Sequence, residues 1–148
     1  MFRHSLVPLG VALVLALAGC GGSEGSESGN AEDTVSAAAP AEDQAAVLVT
    51  RDCGKRVVLA KTEVEAGQTA MQALDRVADI ETASGGKFVS EIEDVAQNNA
   101  KKLAWLYYVN GEAAQKGATE IKLAPGDVEW WDLHNYEQEC ATVPAEAR

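Results

Sequence analysis

Two N-terminal segments of unlike composition confine the fold of this 148-residue chain to about its last 100 residues. Residues 6–18 are apolar apart from Pro8 and Gly10, and they follow the basic Arg3. A membrane span needs about 20 apolar residues, so this shorter run predicts a secretory signal peptide. Residues 21–45 carry Gly, Ser, Ala and six acidic side chains but no basic one. Because such a segment buries too little apolar surface to offset its ordering entropy, we expect a disordered acidic tether.

The end of the apolar run resembles the bacterial lipoprotein signal, with the sequence LAGC at residues 17–20. In that kind of signal the Cys thiol receives a diacylglyceryl group, and cleavage leaves it as the first residue of the mature chain. The resemblance implies lipidation of Cys20 and an anchor on the extracytoplasmic face of the cell membrane. The alternative is an ordinary signal peptide with a chance cysteine near its end. The expected organisation is a signal peptide at 1–19, a lipid-anchored flexible acidic linker at 20–45, a folded domain at 46–142 and a C-terminal tail at 143–148.

The first part of the folded segment reads as two strands followed by a helix. Residues 47–49 and 56–59 are β-type runs separated by a turn that contains a glycine. Thr69 is a fitting helix N-cap, and Gln72 three residues later completes a capping box. We expect this helix to end near Ile80. Its apolar residues recur at helical spacing and predict one buried stripe: Ala70, Met71, Ala73, Leu74, Val77 and Ala78.

The rest of the folded segment reads as strands joined by turns. Asn110-Gly111 and Pro125-Gly126 are typical turn dipeptides, the second typical of a type II turn. One helix packed across one face of a mixed sheet is the economical way to bury the helical stripe. The expected fold class is therefore α+β, a β-grasp-like mixed sheet with one helix across one face, after a cleaved signal and a disordered tether. The strands are expected at 88–92, 103–109, 121–123 and 127–133.

Several segments of this domain resemble, in order and spacing, the transcobalamin-like C-terminal domain family. The resemblance covers about residues 57–133, and it implies a β-grasp fold. In the vitamin carriers of that family the small domain covers one face of cobalamin, and a separate helical domain, which we do not expect here, holds the other. The cobalamin contacts do not carry over residue by residue, because the matching motifs are scaffold and turns. These motifs are GQTAMQAL at 67–74, FVSEI at 88–92, WLYYVNG at 105–111, GA at 117–118 and LAPGDVEW at 123–130.

Cys53 and Cys140 are the cysteines that remain after Cys20 is assigned to a lipid anchor. An even number in an exported chain predicts a disulfide. In a β-grasp fold the first and last strands run parallel and adjacent, which brings the turn that contains Cys53 close to the end of the last strand. Two free thiols are the alternative.

Aromatic residues gather in the final third of the chain and are the candidate ligand surface. Alternation along 103–109 places Trp105 and Tyr107 on one face of the sheet and Tyr108 on the other. One set packs under the helix, and the other faces outward on the open side of the sheet. Either the aromatics only fill the core, or the outward set forms a flat apolar platform for a planar ligand or a protein partner. The candidate ligand-binding residues are Trp105, Tyr107, Tyr108, Trp130, Trp131 and Tyr136.

Charge and motif content limit the function classes. A net charge of −11 without basic clusters argues against nucleic-acid binding. Asp132, His134 and Glu137 match no known metal-site spacing and are expected to form a solvated strand end. The sequence contains no glycine-rich phosphate motif, serine elbow or paired-carboxylate pattern, so we expect neither an enzyme nor a resident cofactor.

Two functions remain open from the sequence. The first is a lipid-anchored ligand-binding or accessory module, for a cobalamin-like or other planar ligand, that serves a membrane transporter in an uptake system. The second is a protein–protein docking or structural envelope domain without a small-molecule ligand.

Overall fold

The fold is described from a computed structural model, and the structure describes residues 39–148. The predicted signal peptide, Cys20 and most of the predicted tether lie outside these residues. Within the described part of the chain, no helix has the length and apolar character needed to cross a membrane. The elements are β1 (Gln44–Arg51), β2 (Arg56–Glu65), α1 (Ala70–Val77), β3 (Ile80–Ala83), β4 (Phe88–Ile92), β5 (Val95–Ala96), β6 (Leu103–Val109), β7 (Glu112–Ala113) and β8 (Val128–Asn135), with 3₁₀ turns at Asn99–Lys101 and Ala145–Ala147.

A five-stranded mixed sheet forms the body of the molecule, with strand order β2-β1-β8-β6-β7. β1 and β8 are neighbours and run parallel, with Leu48 opposite Trp130. The remaining pairs in this sheet are antiparallel. The sequence prediction that the first and last strands are parallel and adjacent is confirmed, as is the α+β class with one helix on a mixed sheet.

The helix begins as predicted. The Thr69 hydroxyl accepts a hydrogen bond from the main-chain N–H of Gln72, and the Gln72 side chain accepts one from the main-chain N–H of Thr69. This capping box satisfies two of the donors that a helix leaves unpaired at its start. Ala70, Ala73 and Leu74 are buried against the sheet.

The helix ends earlier than predicted, and a second sheet follows it. Ala78 is already extended, and Ile80 begins β3, which pairs with β4 in a three-stranded sheet of order β3-β4-β5. The apolar residues at the end of the predicted helix, up to Ile80, fit either a helix or a strand. Ile80 pairs with Ile92 of β4, so this residue lies in a strand.

The strand predicted at residues 121–123 is a single bridge between Lys122 and Thr69. This segment runs along the start of α1, where Leu123 exchanges main-chain hydrogen bonds with residues 67 and 68. The turn after it is as predicted, because Gly126 has a φ of +86° and the N–H of Asp127 donates to the carbonyl of Ala124.

Both faces of the main sheet are covered. One face packs on α1 and the small sheet, in a core that contains Trp105, Trp131 and Leu133. On the other face Leu48 and Trp130 are buried together with Ala147 from the C-terminal segment. The sequence prediction expected this face to be open and treated 143–148 as a tail. The structure differs because the two apolar residues Val143 and Ala147 fold back and cover the indole of Trp130.

Candidate functional site

A groove of about 680 Å³ lies between β4, β6 and the segment 113–118. This volume is within the range of about 300–1,000 Å³ that is usual for small-molecule sites. Residues of the turn between β3 and β4 also line the groove. The floor is aromatic, formed by Trp105, Tyr107 and Trp131.

The edge of β6 that faces the groove has unpaired main-chain groups. The main-chain N–H and carbonyl groups of the even-numbered residues of β6 point toward β8. Two hydrogen bonds just beyond the ends of β6 show this: the N–H of Tyr136 donates to the carbonyl of Lys102, and the N–H of Asn110 donates to the carbonyl of Val128. The odd-numbered residues therefore point their main chain to the other edge. There Leu103 pairs with Asn98, and the Tyr107 carbonyl accepts from Ala114.

Between these pairs, the main-chain N–H and carbonyl of Trp105 have no partner among residues 39–148. Unpaired main-chain groups at a strand edge bind water or a polar ligand. The groove therefore combines an aromatic floor with a main-chain donor and acceptor.

The aromatic floor is held rigidly by hydrogen bonds and ring contacts. Tyr107 stacks on Trp131 with ring centroids 4.9 Å apart. The Tyr107 hydroxyl donates to the carbonyl of Lys116, which ties the segment after β7 to the sheet. The indole N–H of Trp105 donates to the carbonyl of Val95 at 3.0 Å, which ties the sheet to β5. Trp105 and Trp131 are only 6% and 3% exposed, so the partly exposed Tyr107 is the floor ring whose apolar face a ligand can reach.

The rim of the groove is exposed and carries positive charge. Phe88 is the first residue of β4, and 65% of it is exposed. Lys87 and Lys116 are exposed, and they are the charged side chains among the described residues that line the groove. An exposed phenylalanine beside a concave apolar surface is typical of a binding site, because solvent contact is unfavourable for the ring.

A buried carboxyl group lies behind the aromatic floor. Glu129 is fully buried; one carboxyl oxygen accepts from the indole N–H of Trp131, and the other has no hydrogen-bond partner among the described residues. Burial raises the pKa of Glu129 to about 8, and the hydrogen bond from Trp131 offsets only part of this effect. Burial, and then the nearby Glu129 and Glu120, raises the pKa of Tyr107 to about 12. The phenol and this carboxyl group are therefore largely uncharged at neutral pH.

The opposite face of the sheet contains a buried polar network rather than a cavity. The indole N–H of Trp130 donates to the hydroxyl of Thr50 at 2.6 Å, and that hydroxyl donates to Asp132 at 2.5 Å. Asp132 also accepts from Nδ1 of His134 at 2.9 Å, and the hydroxyl of Tyr108 lies 3.4 Å from Nε2 of the same imidazole. Tyr108 stacks on Trp130 with ring centroids 4.5 Å apart.

The disulfide predicted between Cys53 and Cys140 is present next to this network. The candidate metal-ligating atoms of Cys53, Asp132, His134 and Cys140 lie within 4.8 Å of one another. The two sulfurs are bonded to each other, and both oxygens of Asp132 accept hydrogen bonds. Glu137, the third residue of the sequence pattern, lies apart from this group and pairs with Lys102. The group thus forms a cross-linked hydrogen-bond network. The prediction of a solvated strand end is wrong for Asp132 and His134, which are buried at 0% and 5% exposure.

The structure divides the six aromatic candidates among three environments. Trp105, Tyr107 and Trp131 lie in the floor of the groove, and Tyr108 borders it. Trp130 is fully buried on the opposite face, and Tyr136 is 48% exposed beyond the end of β8. The sequence prediction did not include Phe88, Lys87 or Lys116. Phe88 was assigned to a strand, but its exposure depends on the position of the small sheet.

A family model covers the central part of the described domain. Residues 67–135 match the domain of unknown function DUF4430. The match begins at Gly67, before the helix cap, and ends at Asn135, the last residue of β8. It therefore includes the groove but not β1, β2 or the C-terminal segment. A search of curated proteins found no match to this chain.

Solved structures share the fold. A crystal structure of a candidate metal-binding protein from Ruminococcus gnavus ATCC 29149 matches with a TM-score of 0.50 and 16% identity, over 64% of this chain and 98% of that one. Haptocorrin in complex with Cbi matches with a TM-score of 0.50 and 15% identity, over 64% of this chain. The aligned part is only 26% of haptocorrin. The chain therefore has a transcobalamin- and haptocorrin-like fold, in agreement with the resemblance seen in the sequence.

Proposed function

We propose that this protein is a ligand-binding or accessory module without enzymatic activity, and that the groove beside β6 is its binding site. The observation that carries the proposal is the partly exposed Tyr107 in the floor, held in place by stacking on the buried Trp131, with the exposed Phe88 at the rim. Flat, rigid aromatic surfaces favour planar ligands, because a ring system gains contact area over its whole face. The unpaired main-chain groups of Trp105 suit polar substituents at the edge of such a ligand.

A cobalamin-like ligand is the most specific form of this proposal. Support comes from haptocorrin, whose matching structure holds the cobalamin analogue Cbi. We assign the domain to the β-grasp class, which is supported by the parallel β1–β8 pair and by the single helix across one face of the sheet. The groove has room for part of a corrinoid, so the ligand would remain partly exposed to a second protein such as an uptake transporter.

The proposal also includes a location on the extracytoplasmic face of the cell membrane, anchored through a lipid on Cys20. Its support is the LAGC sequence after a short apolar run, and the disulfide, which is typical of oxidising compartments. Metabolic labelling with a fatty acid in a bacterial host tests it. We expect labelled, membrane-bound wild-type protein and an unlabelled, unanchored Cys20→Ala variant. Equal labelling of both proteins would contradict the anchor.

Calorimetric titration with cobinamide and with cobalamin tests the binding function. We expect saturable binding to the wild-type protein and at least about fivefold weaker binding to Phe88→Ala, because the ring is exposed and its loss removes ligand contact. Val57→Ala is a matched control, since Val57 is also 65% exposed but lies on β2, away from the groove. Absence of binding at micromolar concentrations, or equal losses in both variants, would contradict the assignment of the groove.

The second candidate function is protein docking, and the edge of the main sheet favours it. β2 is the outer strand of the sheet, is ten residues long and exposes Val57. A long edge strand is a template for strand addition by another protein. If cobinamide and cobalamin do not bind, and Val57→Lys but not Phe88→Ala abolishes a detected protein complex, docking through β2 is the better function.

A further inference from the structure

The charge of the groove differs in sign from the charge of the chain. The protein has a net charge of −11 at pH 7. The charged side chains among the described residues that line the groove are both basic, Lys87 and Lys116. A basic site on an acidic protein attracts anions locally, because field lines are focused in a concave surface with apolar walls.

The two lysines lie on different segments around the aromatic floor. Lys87 precedes Phe88 in the turn between β3 and β4, and Lys116 lies in the segment after β7. The main chain of Lys116 is fixed by the hydrogen bond from the Tyr107 hydroxyl, so its side chain starts from a defined point beside the stacked rings. Within residues 39–148, neither ammonium group takes part in an ion pair of 4.0 Å or less. Their charges therefore remain available to a ligand.

The groups behind the floor do not cancel these charges at neutral pH. The raised pKa of Glu129 keeps most of this buried carboxyl group protonated, and the Tyr107 phenol is neutral. Glu120, an exposed acid whose charge reaches Tyr107, is not itself a groove-lining residue, but its carboxylate lies beside the lining residue Gly117. The side chains that line the groove therefore carry a net positive charge, with one acid next to them.

From this arrangement we infer that the ligand of the groove is a planar apolar molecule with anionic oxygen substituents, which Lys87 and Lys116 bind while the flat body lies on the partly exposed ring of Tyr107. This inference rests on the proposed function of the groove as a ligand site, and it selects an anionic planar ligand over a corrinoid without anionic groups, such as cobinamide. Carboxylates and phosphates share the required chemistry, because an ammonium group binds either as a point charge. A planar ligand without anionic groups would leave both lysines without a role in binding.

A matched pair of ligands tests the inference. Coproporphyrin carries carboxylate side chains on a flat macrocycle, and its amide derivative has the same macrocycle without the charges. We expect the acid to bind at least about tenfold more tightly than the amide at low salt, and the difference to shrink at high salt. A riboflavin and riboflavin phosphate pair, measured in the same way, reports whether a phosphate replaces the carboxylates.

Lysine substitutions identify the groups responsible. The double variant Lys87→Gln with Lys116→Gln should lose most of the preference for coproporphyrin over its amide and keep the affinity for the amide. Lys55→Gln is the control, because Lys55 lies in the Cys53 turn and lines a different surface. Full preference in the double variant, or equal affinity of acid and amide for the wild-type protein, would overturn the inference.

These measurements distinguish a failure of the anionic-ligand inference from a failure of the proposed binding function. If uncharged corrinoids bind and Phe88→Ala weakens them, the groove is a binding site, and only its preference for anions is wrong. If cobinamide, cobalamin, the porphyrins and the flavins all fail to bind, both the proposed function and the anionic ligand class are wrong.

Discussion

The carboxylate of Asp132 accepts a hydrogen bond from the main-chain N–H of Cys53 at 2.9 Å, so the last strand of the sheet holds the turn that carries the disulfide. The N–H of Gly54 donates to the same carboxylate at 2.9 Å. Cys53 and Gly54 both have positive φ, which lets their successive N–H groups converge on one anion. The disulfide is thus supported by a buried acceptor on β8, and β8 also contributes Trp131 to the groove floor on its other face.

Asp132→Asn is expected to destabilise the protein by about 1–3 kcal/mol at neutral pH. Burial by itself raises the pKa of Asp132, but the hydrogen bonds from His134, Thr50, Gly54 and Cys53 outweigh it and lower the pKa below 3.8. A lowered folded-state pKa stabilises the protein above the unfolded-state value, and this contribution is lost as the pH falls through the folded-state pKa.

Urea unfolding of the wild-type protein and Asp132→Asn between pH 7 and pH 2 measures this effect. The difference in unfolding free energy should shrink below about pH 3.8. Asp75→Asn, at an exposed position on α1, is the control and should stay close to wild type. A pH-independent difference for Asp132→Asn would contradict the role of its charge.

Glu129→Gln is expected to leave stability nearly unchanged at pH 4 and to increase it at pH 9. The pKa of Glu129 is raised from 4.5 to about 8, so the folded state binds more protons than the unfolded state between these values. Wild-type stability therefore falls as the pH rises from 4.5 to about 8, by on the order of 4 kcal/mol. Urea midpoints across this range test the prediction, with the exposed Glu81→Gln as control. A wild-type stability that rises with pH over this range would exclude it.

Removal of the disulfide by Cys53→Ser with Cys140→Ser should reduce the free energy of unfolding by about 4–5 kcal/mol in the chain-entropy model, because the bridge closes a loop with a sequence separation of 87 residues. Guanidinium unfolding measures the loss, and thiol alkylation without reductant, followed by mass measurement, checks the wild type. Two alkylated thiols would show that the bridge is absent. The emission of Trp130 should shift toward that of exposed tryptophan in the variant, since the segment that covers this ring is released.

Gly54→Ala should destabilise the protein more than Gly85→Ala does. Both glycines have positive φ, +80° and +71°, so the backbone cost of alanine is similar. A Cβ on Gly54 would lie 2.3 Å from Cγ of Pro144, whereas a Cβ on Gly85 meets no atom within 4 Å. Thermal melts should show that Gly54→Ala lowers the free energy of unfolding by at least about 1 kcal/mol more than Gly85→Ala does. Pro144→Gly should remove most of this excess, and equal losses at both glycines would show that Pro144 does not pack there.

Local sequence patterns correctly predicted the parts of the fold that depend on interactions between residues close together in the chain. The capping box of Thr69 and Gln72, the bounds of β4 and β6, and the turns at Asn110-Gly111 and Pro125-Gly126 agree with the structure. Each depends on contacts within a few residues, so its residue types carry the information. The short strands β3, β5 and β7 were not predicted, because two to four residues contain too little periodicity.

The sequence predicted only part of the candidate site. Alternation placed Trp105 and Tyr107 on one face and Tyr108 on the other, but it did not say which face α1 covers. It also gave no sign that Val143 and Ala147 would cover Trp130. Phe88, Lys87 and Lys116 are brought to one groove by the position of the small sheet beside β6. That position depends on long-range packing, including the bond from Trp105 to Val95, which no local pattern encodes.

By itself, the sequence determined the α+β class, the helix start, the main strands and the Cys53–Cys140 pairing. Hydrophobic periodicity, helix-capping residues and the number of cysteines can all be read directly from the amino-acid sequence. The tertiary structure alone decided that both faces of the main sheet are covered and that a groove, the proposed binding surface, lies at the edge of β6. The physical reason is that exposure and the local balance of charge are set by what packs against a residue. Those neighbours come from distant parts of the chain.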